Sequence, residues 1–65
     1  MSDYASLAQR LRSLVDDLDE LAFDQLREAV ADGATSRPIS DKELAKARRS
    51  VEKAAGVLER LADGA

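Results

Sequence analysis

A run of carboxylates in the first half of the chain is the part of the sequence best placed to do chemistry. Asp16, Glu20 and Asp24 recur every four residues, so on a helix they share one face, with Asp17 beside them. Such a group could bind a divalent cation or a basic partner. Ca²⁺, however, needs about six to eight oxygens converging from a bent loop, which a straight helix cannot supply alone. We predict no metal site, and expect this acidic face to be solvated, to pair with basic residues of a neighbouring helix, or to contact a basic partner.

The second half of the chain carries the opposite charge on one face of a helix. Lys42, Lys46, Arg49 and Lys53 form this basic face, which could follow the phosphates of a nucleic acid. The net charge of −3, the interleaved glutamates and the lack of aromatic residues among the cations argue against that role. We expect the basic face to be solvated or paired within a helical bundle, or to meet an acidic protein.

Catalytic chemistry has little support in the composition. The chain has no histidine and no cysteine, which removes the commonest general base, the strongest nucleophile and every imidazole or thiolate metal site. Gly33, Gly56 and Gly64 are isolated, so they form no phosphate-binding loop. We therefore predict a non-enzymatic protein with no catalytic residue, no cofactor and no small-molecule substrate.

The clearest structural signal is a helix start near the middle of the chain. Ser40 can accept a hydrogen bond from the N–H of Glu43, while Glu43 reaches back to the N–H of Ser40. Ile39 and Leu44 flank this capping box, where an apolar pair fixes the direction of the chain. A helix is therefore predicted to follow Ser40.

Further signals complete an all-α fold, an antiparallel helical hairpin in a single domain of residues 1–65. Ser2 is the expected N-cap of the first helix, and Gly33 and Gly64 are expected to end the two helices. The predicted bounds are about 3–32 for helix 1, 33–40 for the turn and about 41–63 for helix 2.

Both helices carry apolar stripes with the heptad spacing of a coiled coil. In helix 1 the predicted stripe is Tyr4, Leu7, Leu11, Leu14, Leu18 and Leu21, widened by Ala8, Val15 and Ala22. A strict continuation would bury Gln25, so we expect the stripe to move to Ala22, Leu26, Ala29 and Val30. In helix 2 the predicted stripe is Leu44, Ala47, Val51, Ala54, Leu58 and Leu61, extended by Ala55 and Ala62. Helix 2 is the shorter, so we expect it to leave Tyr4 and Leu7 uncovered.

So small a hairpin needs a further source of stability, and without cysteine or histidine that source is association. We predict a homodimer, as a four-helix bundle, or binding to a larger protein. The expected interface comprises Tyr4, Leu7, Leu11, Leu14, Val15, Leu18, Leu26, Leu44, Val51, Leu58 and Leu61. With no signal peptide, no apolar run that could cross a membrane and no cysteine, we expect a cytoplasmic protein without membrane contact.

The plan of helix, short turn and helix resembles that of the plasmid copy-number regulators of the Rop type, in which two hairpins form a four-helix bundle that binds RNA. The similarity is one of architecture, and no motif transfers residue by residue. It implies an alternative function, a nucleic-acid-binding regulator that uses the basic side of helix 2. Steep salt dependence would distinguish such binding from apolar association.

Overall fold

Two long helices packed against each other make up the fold in the computed structural model, which describes residues 3–33 and 40–64. Helix α1 spans Tyr4–Ala31 and helix α2 spans Ser40–Ala62. They run antiparallel, because Arg12 near the start of α1 pairs with Glu59 near the end of α2. The predicted all-α hairpin is confirmed, and the described residues contain no strand. Helix α1 is one residue shorter at each end than the range 3–32, and α2 begins one residue earlier than predicted.

The two helices end in the same way, at the sequence Ala-Asp-Gly. Gly33 and Gly64 have φ angles of 85° and 78°, a left-handed backbone that disfavours any residue with a Cβ. Each glycine N–H donates to a carbonyl three residues back, that of Val30 at 3.0 Å or that of Leu61 at 3.1 Å. Glycine therefore ends each helix, as predicted. At the start of α1, Asp3 occupies the N-cap position, and the predicted cap Ser2 lies outside the described residues.

The helices touch along a seam of small and medium-sized apolar residues. Ala8, Val15 and Ala55 are buried, and Ala55 has no exposed surface. The seam follows one heptad in each helix, which we call the inner heptad. It comprises Ala8, Leu11, Val15, Leu18, Ala22, Gln25 and Ala29 in α1, and Leu44, Arg48, Val51, Ala55 and Leu58 in α2. Alanine at several of these positions lets the two backbones approach closely.

This seam confirms one side of the predicted stripes and corrects the other. The expected rows at Leu7, Leu14 and Leu21 in α1 and at Ala47, Ala54 and Leu61 in α2 are exposed. After Leu21, the predicted positions Ala22, Leu26 and Ala29 are half-buried, as expected, whereas Val30 is exposed. Gln25, which was expected to lie outside the stripe, is half-buried as well. In α1 the rows at Leu7 and Ala8 are both apolar, and the row with the smaller side chains lies in the seam, where it allows the two backbones to approach closely.

Helix α2 also covers more of α1 than predicted. Ala8 retains only 2% of its surface, and Ala5, Ala8 and Ala62 line one shallow depression at this end of the hairpin. Tyr4 and Leu7 are exposed, as expected, but for another reason. Leu7 precedes the buried Ala8 and points to the side of the seam, so α2 passes it without covering it.

The start of α2 differs from the predicted capping box. Ser40 is itself the first helical residue, and its hydroxyl donates to the side-chain oxygen of Gln25 at 2.7 Å. Ile39, the predicted staple residue, lies outside the described residues. The Ser40 side chain therefore ties the start of α2 to the half-buried amide of α1.

Candidate interaction surface

On one side of the hairpin, a bidentate ion pair joins the two helices. Arg12 donates from Nη2 to Oε1 of Glu59 at 2.6 Å and from Nε to Oε2 at 3.1 Å. The hydrogen bond raises the pKa of Arg12 and lowers the pKa of Glu59, because it stabilises both charged forms. This planar pairing fixes the distance and the level of the two helices near the chain ends.

A second ion pair on the same side involves Arg48. Its Nε donates to Oδ1 of Asp19 at 2.6 Å, and its Nη1 donates to Glu52 of its own helix. The hydrogen bond to Asp19 is the main reason that the pKa of Arg48 is raised. Arg48 occupies an inner-heptad position, so its aliphatic stem fills the seam while its guanidinium reaches the charged side.

The opposite side of the hairpin is apolar. Leu7, Leu14 and Leu21 retain 42%, 47% and 46% of their surfaces. The register of the two ion pairs places this row of leucines opposite Leu61, Ala54 and Ala47, which are also exposed. We call these six residues the apolar face. Tyr4 and Val57, both exposed, extend it.

The predicted interface residues divide between this face and the seam. Tyr4, Leu7, Leu14 and Leu61 are exposed. Val15 is buried in the seam. The remaining predicted residues are half-buried, and they are Leu11, Leu18, Leu26, Leu44, Val51 and Leu58.

The acidic and basic faces point away from the seam. Asp16, Asp17, Glu20 and Asp24 are exposed, and Asp24 pairs with Arg27 of its own helix at 3.5 Å. Likewise, Lys42, Lys46, Arg49 and Lys53 are exposed, and Lys46 pairs with Glu43 at 3.5 Å.

Of the alternatives expected for these two faces, the exposed positions fit a solvated surface, and the ion pairs of Asp24 and Lys46 lie within their own helices. Two ion pairs that do join the helices are Arg12–Glu59 and Asp19–Arg48. Neither pair was predicted from the sequence, because the prediction relied on the largest clusters of charge. Opposite charges flanking the inner heptad at matching antiparallel levels were the signal that could have found them.

Two further features of the described surface are an exposed aromatic ring and a shallow depression. Phe23 is exposed near the turn, with the guanidinium of Arg27 5.5 Å from its ring centre. A shallow depression of about 430 Å³ lies near the chain ends and is lined by Ala5, Ala8, Gln9, Glu59, Ala62 and Asp63. These residues include no nucleophile paired with a base. Within residues 3–33 and 40–64, no three acidic side chains converge as a metal site would require.

No protein-family model matches the chain, and neither the curated proteins nor the solved structures searched include a match. Of the described helices, neither has an apolar stretch of the length and hydropathy that a bilayer crossing requires. The geometry of the hairpin is therefore the basis for assigning a function.

Proposed function

We propose that this protein is a non-enzymatic interaction module that binds protein through its apolar face. The observation that carries the proposal is the row of leucines at Leu7, Leu14 and Leu21, each more than two-fifths exposed in a regular helix beside a row dominated by alanine. A contiguous apolar patch rimmed by charge marks a contact surface in soluble proteins.

The total surface supports the same proposal. The chain exposes 5145 Å², whereas a compact monomer of its mass, 7.0 kDa, would expose about 4,000 Å². The excess arises because the hairpin is a rod, with principal extents of 52 × 15 × 10 Å. Covering the exposed part of each leucine would contribute roughly 1–2 kcal/mol, and a few such terms are a large share of the stability of a small domain.

The test is a capture experiment with immobilised protein and an extract of the source cells. We expect the wild-type chain to retain protein, including untagged copies of itself where these are present, and the variant Leu14→Glu/Leu21→Glu to lose it. The matched control is Ser6→Glu/Ser13→Glu, which adds the same charge to exposed positions of the same helix off the apolar face. Equal retention by both variants would contradict the proposal, provided that circular dichroism shows both to be helical.

A second candidate function is nucleic-acid binding, favoured by the placement of the cations in α2. Lys42, Lys46, Arg49, Lys53 and Arg60 follow one another at helical spacing along one exposed strip of α2. Glu52 and Glu59 lie on the side of the seam, where they contact arginines. A stripe of this kind can neutralise several phosphates.

Salt dependence tests this second candidate. Four phosphate contacts would weaken binding to duplex RNA by roughly a hundredfold between about 50 and 200 mM salt. The variant Lys46→Glu/Lys53→Glu should abolish such binding, whereas Leu14→Glu/Leu21→Glu should leave it intact. If the protein does not bind duplex RNA even at low salt, this function is excluded.

A further inference from the structure

We propose that the occupant of the apolar face is a second copy of this chain, placed so that each α1 lies against α2 of its partner. The two-fold axis then runs along the helices, and both turns lie at the same end of a four-helix bundle. This inference rests on the proposed function and adds the identity of the partner and its orientation.

The sizes of the side chains on the apolar face favour this arrangement. The α1 row is Leu7, Leu14 and Leu21, and the facing levels of α2 hold Leu61, Ala54 and Ala47. With α1 against the partner's α2, large side chains meet small ones at two of the three levels. The two contacts between the chains are then equivalent, and both can pack well at the same distance between helices. With α1 against α1, leucines would meet leucines on one side and alanines would meet alanines on the other. That alternative leaves the alanine side loosely packed.

Charge at the rim of the apolar face points the same way. Asp17 and Asp24 border the leucine row of α1, with Glu20 further round the helix. Glu43 and Ser50 border the alanine row of α2, with Lys46 and Lys53 further round the helix. With α1 against the partner's α2, the partner's Lys46 comes level with Glu20 and Asp24, and the partner's Lys53 comes level with Asp17. Glu43, on the same side of α2, is held by Lys46 of its own helix.

The opposite arrangement, α1 against α1, is electrostatically worse at its centre. It would place the two copies of Asp17 together near the two-fold axis. The acidic face already carries like charges four residues apart, which repel one another along a helix. A basic neighbour from the partner relieves that repulsion, whereas a second acidic rim adds to it.

The area available matches the area that a stable dimer needs. The hairpin exposes roughly 1,100 Å² more than a compact monomer of the same mass. A standard specific interface buries about 800 Å² per partner. One apolar face against its copy therefore removes most of the excess, and no larger partner is required to do so.

Sedimentation equilibrium tests whether the partner is a second copy. We expect the wild-type chain and Ser6→Glu/Ser13→Glu to be dimers at micromolar concentration. For Leu14→Glu/Leu21→Glu, we expect a dissociation constant raised by at least about a hundredfold, since a dimer would bury its carboxylates without partners.

Disulfide trapping tests the orientation, and the absence of cysteine from the chain makes every introduced thiol unambiguous. Asp17 and Ser50 are exposed, lie at the same level and border the apolar face on α1 and α2. The double variant Asp17→Cys/Ser50→Cys should give a covalent dimer under mild oxidation, while each single variant should stay monomeric on a non-reducing gel. The control Ser13→Cys/Lys53→Cys, at the same level on the outward faces, should not cross-link.

Two results would overturn the inference. Efficient cross-linking of Asp17→Cys alone would show that α1 lies against α1. A folded wild-type monomer at every concentration would show that the partner is not a second copy. In the latter case the proposed function still stands if capture of a different protein depends on Leu14 and Leu21, and it falls only if capture does not depend on them.

Discussion

Arg12 and Arg48 contribute to the fold chiefly by fixing the register of the two helices. Exposed ion pairs stabilise a protein by little, commonly less than about 1 kcal/mol. Their positions nevertheless exclude alternatives. Sliding α2 by one heptad would move Arg48 from Asp19 either to the level of Arg12, with repulsion between two guanidinium groups, or to the level of Leu26, with no acid to meet it.

The Arg12–Glu59 pair should make stability depend on pH in the acidic range. The folded pKa of Glu59 is lowered, so its contribution is present above the ordinary glutamate pKa of about 4.3 and is lost as the pH falls through the folded value. We expect Glu59→Gln to lower the melting temperature at pH 7 and to have no effect at pH 2. Thermal unfolding followed by circular dichroism at both pH values measures this. An equal loss at both would show that the charge of Glu59 is not responsible.

Gly56 is a position where a small change should stabilise the hairpin. A Cβ built there meets only the Nη1 atom of Arg60, at 4.0 Å, and the residue lies inside α2 on the side away from the apolar face. Replacing Gly56 with Ala should therefore raise the free energy of unfolding by about 0.5–1 kcal/mol through helix propensity. Urea unfolding gives the value, and Gly33→Ala is the contrast. That change should destabilise, since φ at Gly33 is positive.

At the scale of the helix, the sequence was sufficient for the number of helices, their glycine ends and their antiparallel order. The apolar stripe alone did not show which face of each helix contacts the other helix. Leu7, Leu14 and Leu21 form a more hydrophobic row than Ala8, Val15 and Ala22, so hydrophobicity alone does not show which of the two rows lies in the seam. The decision depends on how closely two backbones can approach and on which flanking charges then meet, and both are properties of the pair of helices.

A double-mutant cycle can show whether Ser40 stabilises the fold through its hydrogen bond to Gln25 or by capping helix α2. Ser40→Ala removes the hydrogen bond to a half-buried amide, at an expected cost of about 0.5–1.5 kcal/mol. In a Gln25→Leu background the same change should cost almost nothing, because the partner is gone. Ser50→Ala, at an exposed site in the same helix, is the matched control. A full cost in both backgrounds would assign the effect to capping instead.

At the scale of the whole molecule, the rod-like shape limits the stability of the fold. Two helices bury only one stripe of each other, so the buried residues of ranges 3–33 and 40–64 are Ala8, Val15 and Ala55. A chain with so small a core has a low stability of its own. Any partner that binds the folded hairpin adds to that stability by mass action.

Protein concentration should therefore control the melting temperature. If two chains associate through the apolar face, the melting temperature of the wild-type protein rises steadily between about 1 and 100 μM, because dilution favours dissociation and unfolding. Leu14→Glu/Leu21→Glu should melt at a temperature independent of concentration. Calorimetry over this range measures both. A constant wild-type melting temperature would show that association does not support the fold.

The glycine ends of the helices also determine the order of events in time. Gly33 and Gly64 complete their hydrogen bonds with residues of the same helix, so closing each helix end requires no contact with another chain. Helix formation and closure of a short loop take about a microsecond or less. Two chains at 1 μM, by contrast, meet on a timescale of roughly 0.1–10 s at ordinary association rates. A newly made chain would therefore fold long before it finds a second copy, and its leucine row would face the surrounding solution during that interval.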